Sequence, residues 1–276
     1  MSNDDISRLF GGLQIGTATQ ITFPDTLIIV AATFMSPGFE CVIGWSEARQ
    51  EFVRPVTTFT TNRSWPVGTF IVGRQYRFKV VSLYPESSLF PHQTEDVLVL
   101  PNPAAQTVPV ILVEFTAFPG SQMEPVPLQI PKIQPIYYKE SRLYHLLYES
   151  SVHSIPEVFA PAIIAQNRYI VEGTKCPSVG VLRCLQNEIF FYPYTSVTIG
   201  NGVEIRLRCK IQGFDFPVTA QNGNSLFRSR IERPVDDNRK ILVLLGLGRP
   251  FAGGINNSFT PRRCYILLIG VIHETL

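Results

Sequence analysis

CVIGWSEARQEFVRPV, residues 41–56, holds two apolar runs on either side of the polar interval SEAR. Valine, isoleucine and aromatic residues in runs of four to six, separated by a short polar gap, are the mark of two consecutive antiparallel strands. Cys41, Val42 and Ile43 read as core, and EFVRPV reads as the returning strand. The neighbouring sequence extends the same pattern. TLIIVAATF precedes it, with Pro37 and Gly38 in the gap as residues that do not sit inside helices. FIVGRQYRFKVVSLY at 70–84 and EDVLVL at 95–100 follow, and in the first of these Tyr76, Phe78 and Val80 alternate with Arg77 and Lys79. A period of two places the charges on one face of a half-buried strand. Five strands within about 75 residues is the scale of one small barrel.

Beyond this series the composition changes. Residues 101–135 contain PNPAAQTVP, AFPGS and PVPLQIPKIQP around one short apolar run, VILVEF. Repeated prolines remove backbone donors and favour extended chain, so this interval reads as a connection with one or two edge strands. YYKESRLYHLLYESS then predicts a modest helix with Leu143, Leu146 and Leu147 on one face, stopped by the Pro-Glu pair at 156–157. Strand character returns in RYIVEG, SVGVLRCLQNEIFFYPY and SVTIGNGVEIRLRCKIQGFDFPVTA, where an Asn-Gly between apolar runs signals a hairpin. KILVLLGL and CYILLIGVIHE are continuously apolar, which predicts strands buried on both faces. The expected architecture is all-β: two small barrels in tandem, with a proline-rich connection and at most short helices. The expected boundaries are an entry segment at 1–26, a first barrel with the connection at 27–135 and a second barrel at 136–276. A single β-sandwich or one large barrel is the alternative.

A chain of 276 residues has the length for two such units, and its 45% apolar content supplies core material. The formal net charge is only +2, but it is unevenly distributed. Residues 1–180 carry 12 Lys or Arg against 15 Asp or Glu, whereas residues 181–276 carry 12 against 7. Five cysteines without C-x-x-C spacing argue against a structural zinc site, and the acidic, polar start MSNDDISRLF is unlike a secretory signal. A cytoplasmic setting is expected. The longest apolar runs have eight residues, well short of the roughly 20 that span a bilayer as a helix, so no membrane partner is expected.

Catalytic chemistry finds little support in the residues. His92 with Glu95 and Asp96 could bind metal or exchange a proton, but a loop between strands explains them as well. His145, His153 and His273 belong to no metal-ligand spacing, and no nucleophile elbow occurs. The glycines of GLGRPFAGG lack the lysine and register of a phosphate loop and read as a turn. No cofactor and no catalytic residue is therefore assigned. The basic and aromatic residues are more informative. Arg206, Arg208 and Lys210 share one strand face, Arg228, Arg230 and Arg233 follow, and Arg262 and Arg263 precede the last strand. Phe190, Phe191, Tyr192 and Tyr194 could supply stacking faces for bases, and Trp45 with Arg77 and Lys79 could do so in the first half. The alternative is a solvated charged face over barrels whose aromatics are internal.

Three stretches carry a resemblance to a known family: CVIGWSEARQEFVRPV at 41–56, PHQTEDVLVL at 91–100, and LLGLGRPF at 244–251 followed by CYILLIGVI at 264–272. In these stretches the chain resembles the dual OB-containing domain family of prokaryotic and phage proteins. Phe52, Val53, Arg54 and Pro55 stand at the family's early strand return, Gln93 and Glu95 at its acidic segment, and Arg249, Pro250 and Phe251 at its closing motif. The long proline-rich interval departs from the family pattern. The resemblance implies two oligonucleotide-binding-type barrels packed as a unit, with a role in nucleic-acid transactions or mobile-element defence.

Arg54 and Arg249 share an Arg-Pro context, and a following proline holds each in extended backbone. Such an arginine can point into a groove and clamp phosphate, or satisfy its five donors internally and hold two units together. The expected function is non-catalytic binding of single-stranded nucleic acid by Trp45, Arg54, Arg77, Lys79, Arg206, Arg208, Lys210, Arg228, Arg230, Arg249 and Arg263. A protein-interaction or scaffold module is the alternative, with a protein partner in place of nucleic acid.

Overall fold

The computed structural model describes residues 23–36, 38–56, 65–83, 95–100, 107–111, 127–131, 140–159, 168–198, 202–220, 239–253 and 261–274. The fold is β-rich. Its strands are β1 (Phe23–Ser36), β2 (Phe39–Ser46), β3 (Glu51–Val56), β4 (Trp65–Pro66), β5 (Gln75–Leu83), β6 (Asp96–Leu100), β7 (Thr107–Ile111) and β8 (Pro127–Pro131) in the first part. The second part contains β9 (Tyr169–Val171), β10 (Val179–Leu185), β11 (Ile189–Thr198), β12 (Gly202–Ile211), β13 (Phe214–Pro217), β14 (Lys240–Leu247) and β15 (Arg263–His273). Two short α-helices, α1 (Glu140–Tyr148) and α2 (Ile155–Phe159), occur among the described residues, and neither is long and apolar enough to cross a membrane.

In the first part the strand pairings form a closed circuit. β1 pairs antiparallel with both β2 and β5, β2 pairs with β3, β3 runs parallel to β6, and β6 pairs with β5. One strand can serve both ends because β1 is 14 residues long, so different portions of it meet β5 and β2. One set of alternating residues, Leu27, Ile29, Val42, Val53, Phe78, Val80, Val97 and Val99, gathers into a core with Trp65 and Phe70.

The second part repeats this order of pairings. β11 pairs with β12 and β12 with β13, all antiparallel, and Val218 just beyond β13 bridges Leu268 of β15 in parallel. β15 pairs with β14, and β14 with β10. A single 3-10 turn, Gln186–Glu188, then carries β10 directly into β11. The turn divides the stretch SVGVLRCLQNEIFFYPY into two strands that reach different neighbours, as the two portions of β1 do. The β12–β13 hairpin is closed by Gln212 and Gly213 at φ values of 50° and 80°, the two positive-φ residues that a type I′ turn requires. The β11–β12 hairpin is present as expected, but Gly202 opens β12 instead of lying in the turn.

The continuous apolar runs behave as their composition implies. Ile241, Val243 and Leu245 of β14 enter a second core with Leu182, Cys209, Phe216, Ile266 and Leu268. Leu242 and Leu244 point the other way, into an apolar layer shared by both parts of the chain. That shared layer contains Ile28, Val30, Ala31, Ile43 and Trp45 from the first part, Leu143, Tyr144 and Leu147 from α1, and Val179, Val181, Ile269 and Ile272 from the second. Trp45 is therefore 3% exposed, packed edge-on to Phe52 at 4.9 Å, and the structure does not bring it to a surface.

Leu143 and Leu147 of the expected helix are buried and Leu146 is half-buried, with Tyr144 completing the face. Pro156 does more than end that helix. It lies in the first turn of α2, where its missing N–H has no intrahelical partner to lose, and the Ser154 hydroxyl donates to Glu157 at 2.5 Å. The proline-rich interval contains the hairpin β7–β8.

Two predictions follow from this packing. A Cβ added at Gly180 meets Cγ1 of Val158 well inside contact distance, and the branched valine is buried in the second core. Gly180→Ala is expected to destabilise the protein by about 1–3 kcal/mol in chemical denaturation. All five cysteines are free, and all but Cys41 are buried. Burial pushes the Cys209 and Cys264 thiols up to about 12 and Cys176 to about 11. Ellman titration of the native chain is expected to modify Cys41 first, and slowly because burial raises its thiol too, and all five after denaturation.

Candidate functional site

Two places gather the residues that the sequence singles out. The first is a buried seam between the two parts of the chain. Arg54 on β3 is 7% exposed, and its Nη1 donates to Asp96 Oδ1 at 2.9 Å, a carboxylate with no exposure at all. Its backbone N–H donates to the Glu95 carbonyl at 2.8 Å, a consequence of the parallel β3–β6 register. Across the seam Arg54 Nη2 donates to Ser178 Oγ at 3.3 Å. The Glu95 carboxylate accepts from the Ser178 backbone N–H at 2.7 Å and also from its hydroxyl. Ser178 leads into β10, and its carbonyl accepts from Leu247 N–H at the end of β14.

The electrostatics follow from burial among few partners. Desolvation pushes the Glu95 carboxyl up, against the opposing pull of Arg54 and of the Ser178 hydrogen bonds. Burial would also loosen the Arg54 proton, but the Asp96 carboxylate outweighs it, so the guanidinium stays charged. Cys41 is close enough for its thiol to respond to Arg54, Asp96 and Arg249, although desolvation dominates and raises it. The three stretches that carry the family resemblance thus meet at one seam.

The second place is the outward face of β11 and β12. In the antiparallel register Phe190 stands opposite Lys210, Tyr192 opposite Arg208, and Tyr194 opposite Arg206. Three rungs, each an aromatic paired with a cation, form a ladder. Phe190 and Tyr192 stack at 6.1 Å with an interplanar angle of 18°. Arg208 lies 5.4 Å from the Tyr194 ring centroid, and Lys210 Nζ lies 5.5 Å from that of Tyr192, both diagonal contacts between rungs. Phe190 is 60% exposed and Tyr194 44%, and Arg206 and Lys210 are exposed as well. Phe191, by contrast, turns inward with the strand alternation and is buried.

Asp215 on β13 fixes the middle of the ladder. It accepts from Arg208 Nε at 2.8 Å and from the Tyr192 hydroxyl at 2.7 Å. Burial alone would raise this carboxyl, but the two donors and the charge of Arg208 hold it below its ordinary value. The central rung is therefore rigid, while Phe190, Lys210, Tyr194 and Arg206 present the accessible surface.

The remaining sequence candidates distribute differently. Arg263 on β15 lies 4.3 Å from the Tyr169 ring centroid, in a small cluster with Tyr265 and Phe251. Arg249 is exposed, beyond the end of β14. Arg54 lies within β3, whereas Arg249 follows the last residue of β14, so the shared Arg-Pro dipeptide falls at different points relative to its strand. Arg77 is exposed on β5 of the first circuit, away from the ladder in pairing order. Lys79 falls within β5, but its side chain lies outside the described residues, as do His92, Gln93, Arg228 and Arg230. No group of three His, Cys, Asp or Glu residues among the described residues is placed to hold a metal ion. Ser178 and Asp215 were missed by sequence reasoning, since a serine at a strand entry and an aspartate in a short hairpin carry no motif.

Comparison with known protein families, with characterised proteins and with solved structures finds no match for this chain.

Proposed function

We propose that the two circuits are oligonucleotide-binding-type barrels packed in tandem, of the dual OB-containing kind the sequence resembles. We propose further that the chain binds single-stranded nucleic acid, without catalysis, through the β11–β12 ladder. Support for the barrels comes from the order of pairings. An OB fold is a five-stranded Greek-key barrel, and here a long or bent first strand, two hairpin partners, a parallel closure and an antiparallel return occur twice.

The observation that carries the binding reading is the ladder. Exposed rings give faces on which unpaired bases stack, and a cation beside each ring lies where the phosphates of such a strand would run. A duplex hides its base faces, so a single strand is the better fit. The corresponding face of the first circuit, bearing Ile28, Val30, Ile43 and Trp45, is covered by the shared layer. This leaves the second circuit's face as the open one. Arg54 belongs to the seam in this reading and holds the barrels together.

Fluorescence anisotropy with labelled single and double strands at two salt concentrations tests the proposal. Preference for the single strand, weakening as salt rises, is expected. Absent binding, or affinity indifferent to salt, overturns it and favours the protein-interaction module.

A further inference from the structure

A cleft of about 260 Å³ opens at one end of the ladder, lined by α1, β10, the β10–β11 turn and the β12–β13 turn. Both strands of the last rung run into it. Glu188 lies two residues before Phe190, Gln212 lies two residues after Lys210, and both line the cleft. Its other polar lining residues include Arg183 and Lys240, with Tyr144 and Tyr148 on the α1 side. Lys240 is exposed and stands opposite Leu185 in the β10–β14 register.

The cations and donors of this cleft are incompletely used. Arg183 donates to the Ser151 carbonyl at 2.7 Å and lies 4.5 Å from the Tyr148 ring centroid, yet its Nε has no hydrogen-bond partner among the described residues. Tyr144 is 2% exposed, and its hydroxyl has no hydrogen-bond partner among the described residues. Buried donors are nearly always satisfied, so two such groups on residues that line one cleft mark a place where a small side-chain adjustment toward an added acceptor would satisfy them. The carboxylate in the lining, Glu188, accepts from the Leu185 N–H at 2.6 Å and is held to its own turn. Gln212 is similarly committed, bridging Ile155 N–H and the His153 carbonyl.

We infer that this cleft receives the terminal phosphate of a single strand lying along the ladder, with Arg183 and Lys240 as its charged partners. The inference rests on the ladder being the path of the strand. A volume of about 260 Å³ lies below the roughly 300–1,000 Å³ of pockets for drug-sized ligands, which suits one chain end and not a longer segment. A phosphate monoester at a strand end carries more charge than an internal diester, so two cations at the end of the path discriminate ends from interiors.

The test compares one oligonucleotide in three forms: 5′-phosphorylated, 3′-phosphorylated and unphosphorylated. One phosphorylated form is expected to bind about ten-fold more tightly than the unphosphorylated form, and which one does so gives the strand's direction. Lys240→Met, at an exposed position, is expected to remove most of that preference while leaving binding of the unphosphorylated strand nearly unchanged. Equal affinity for all three forms, or a preference that survives both Lys240→Met and Arg183→Gln, overturns the inference and leaves the ladder standing. Binding to none of the three overturns the ladder and the cleft together.

Discussion

Arg54→Ala lowers the unfolding free energy by about 3–5 kcal/mol, measured by guanidinium denaturation, because it removes the ion pair that balances the fully buried Asp96 carboxylate. The loss reaches further than one ion pair. Arg54 also donates to Ser178 across the seam, and Ser178 is the residue through which Glu95 holds the second part of the chain. Arg54→Ala combined with Asp96→Ala is expected to cost less than the sum of the single changes, since the double variant no longer buries the charge that Arg54 balanced. An Arg54→Ala chain that loses less than about 1 kcal/mol contradicts the clamp and returns Arg54 to the groove reading.

Phe190→Ala and Tyr194→Ala each weaken single-strand binding by about 1–3 kcal/mol, or roughly 5- to 150-fold in Kd. Both rings are largely exposed, so their removal is expected to change stability by no more than about 0.5 kcal/mol. That separation of effects distinguishes a stacking surface from a packing one. Phe191→Ala gives the opposite pattern, because Phe191 lies in the second core: about 3–5 kcal/mol of stability is lost, and the folded fraction still binds. Anisotropy titrations paired with denaturation curves on the three variants read both quantities.

Much of the fold was legible because period-two alternation and turn residues are local signals. EFVRPV, KILVLLGL and CYILLIGVIHE all form strands close to their expected limits. The continuous apolarity of the last two correctly implied burial on both faces, one against the second core and one against the shared layer. What the sequence could not convey was partnership. Trp45 and Phe190 are both aromatics within strands, yet one is covered by the other half of the chain and one faces solvent. Only the packing of the two parts makes that choice. Arg54 and Arg249 likewise share a dipeptide but not a position, because register and not local sequence decides which strand opposes which. The cation–aromatic rungs lie between these cases: each strand's alternation is visible, but their alignment depends on where the β11–β12 hairpin turns.

The salt dependence of single-strand affinity, compared between the native chain and Arg206→Glu combined with Lys210→Glu, is the most direct test of the ladder as the binding surface. Both residues are exposed, so the double variant is expected to fold normally. The native chain is expected to bind with log K falling linearly against log salt, and the variant to bind more weakly with a slope shallower by roughly 1.4, two phosphate contacts at about 0.7 each. Equal affinity and equal slope for the two chains would contradict the account and place any nucleic-acid contact elsewhere on the molecule.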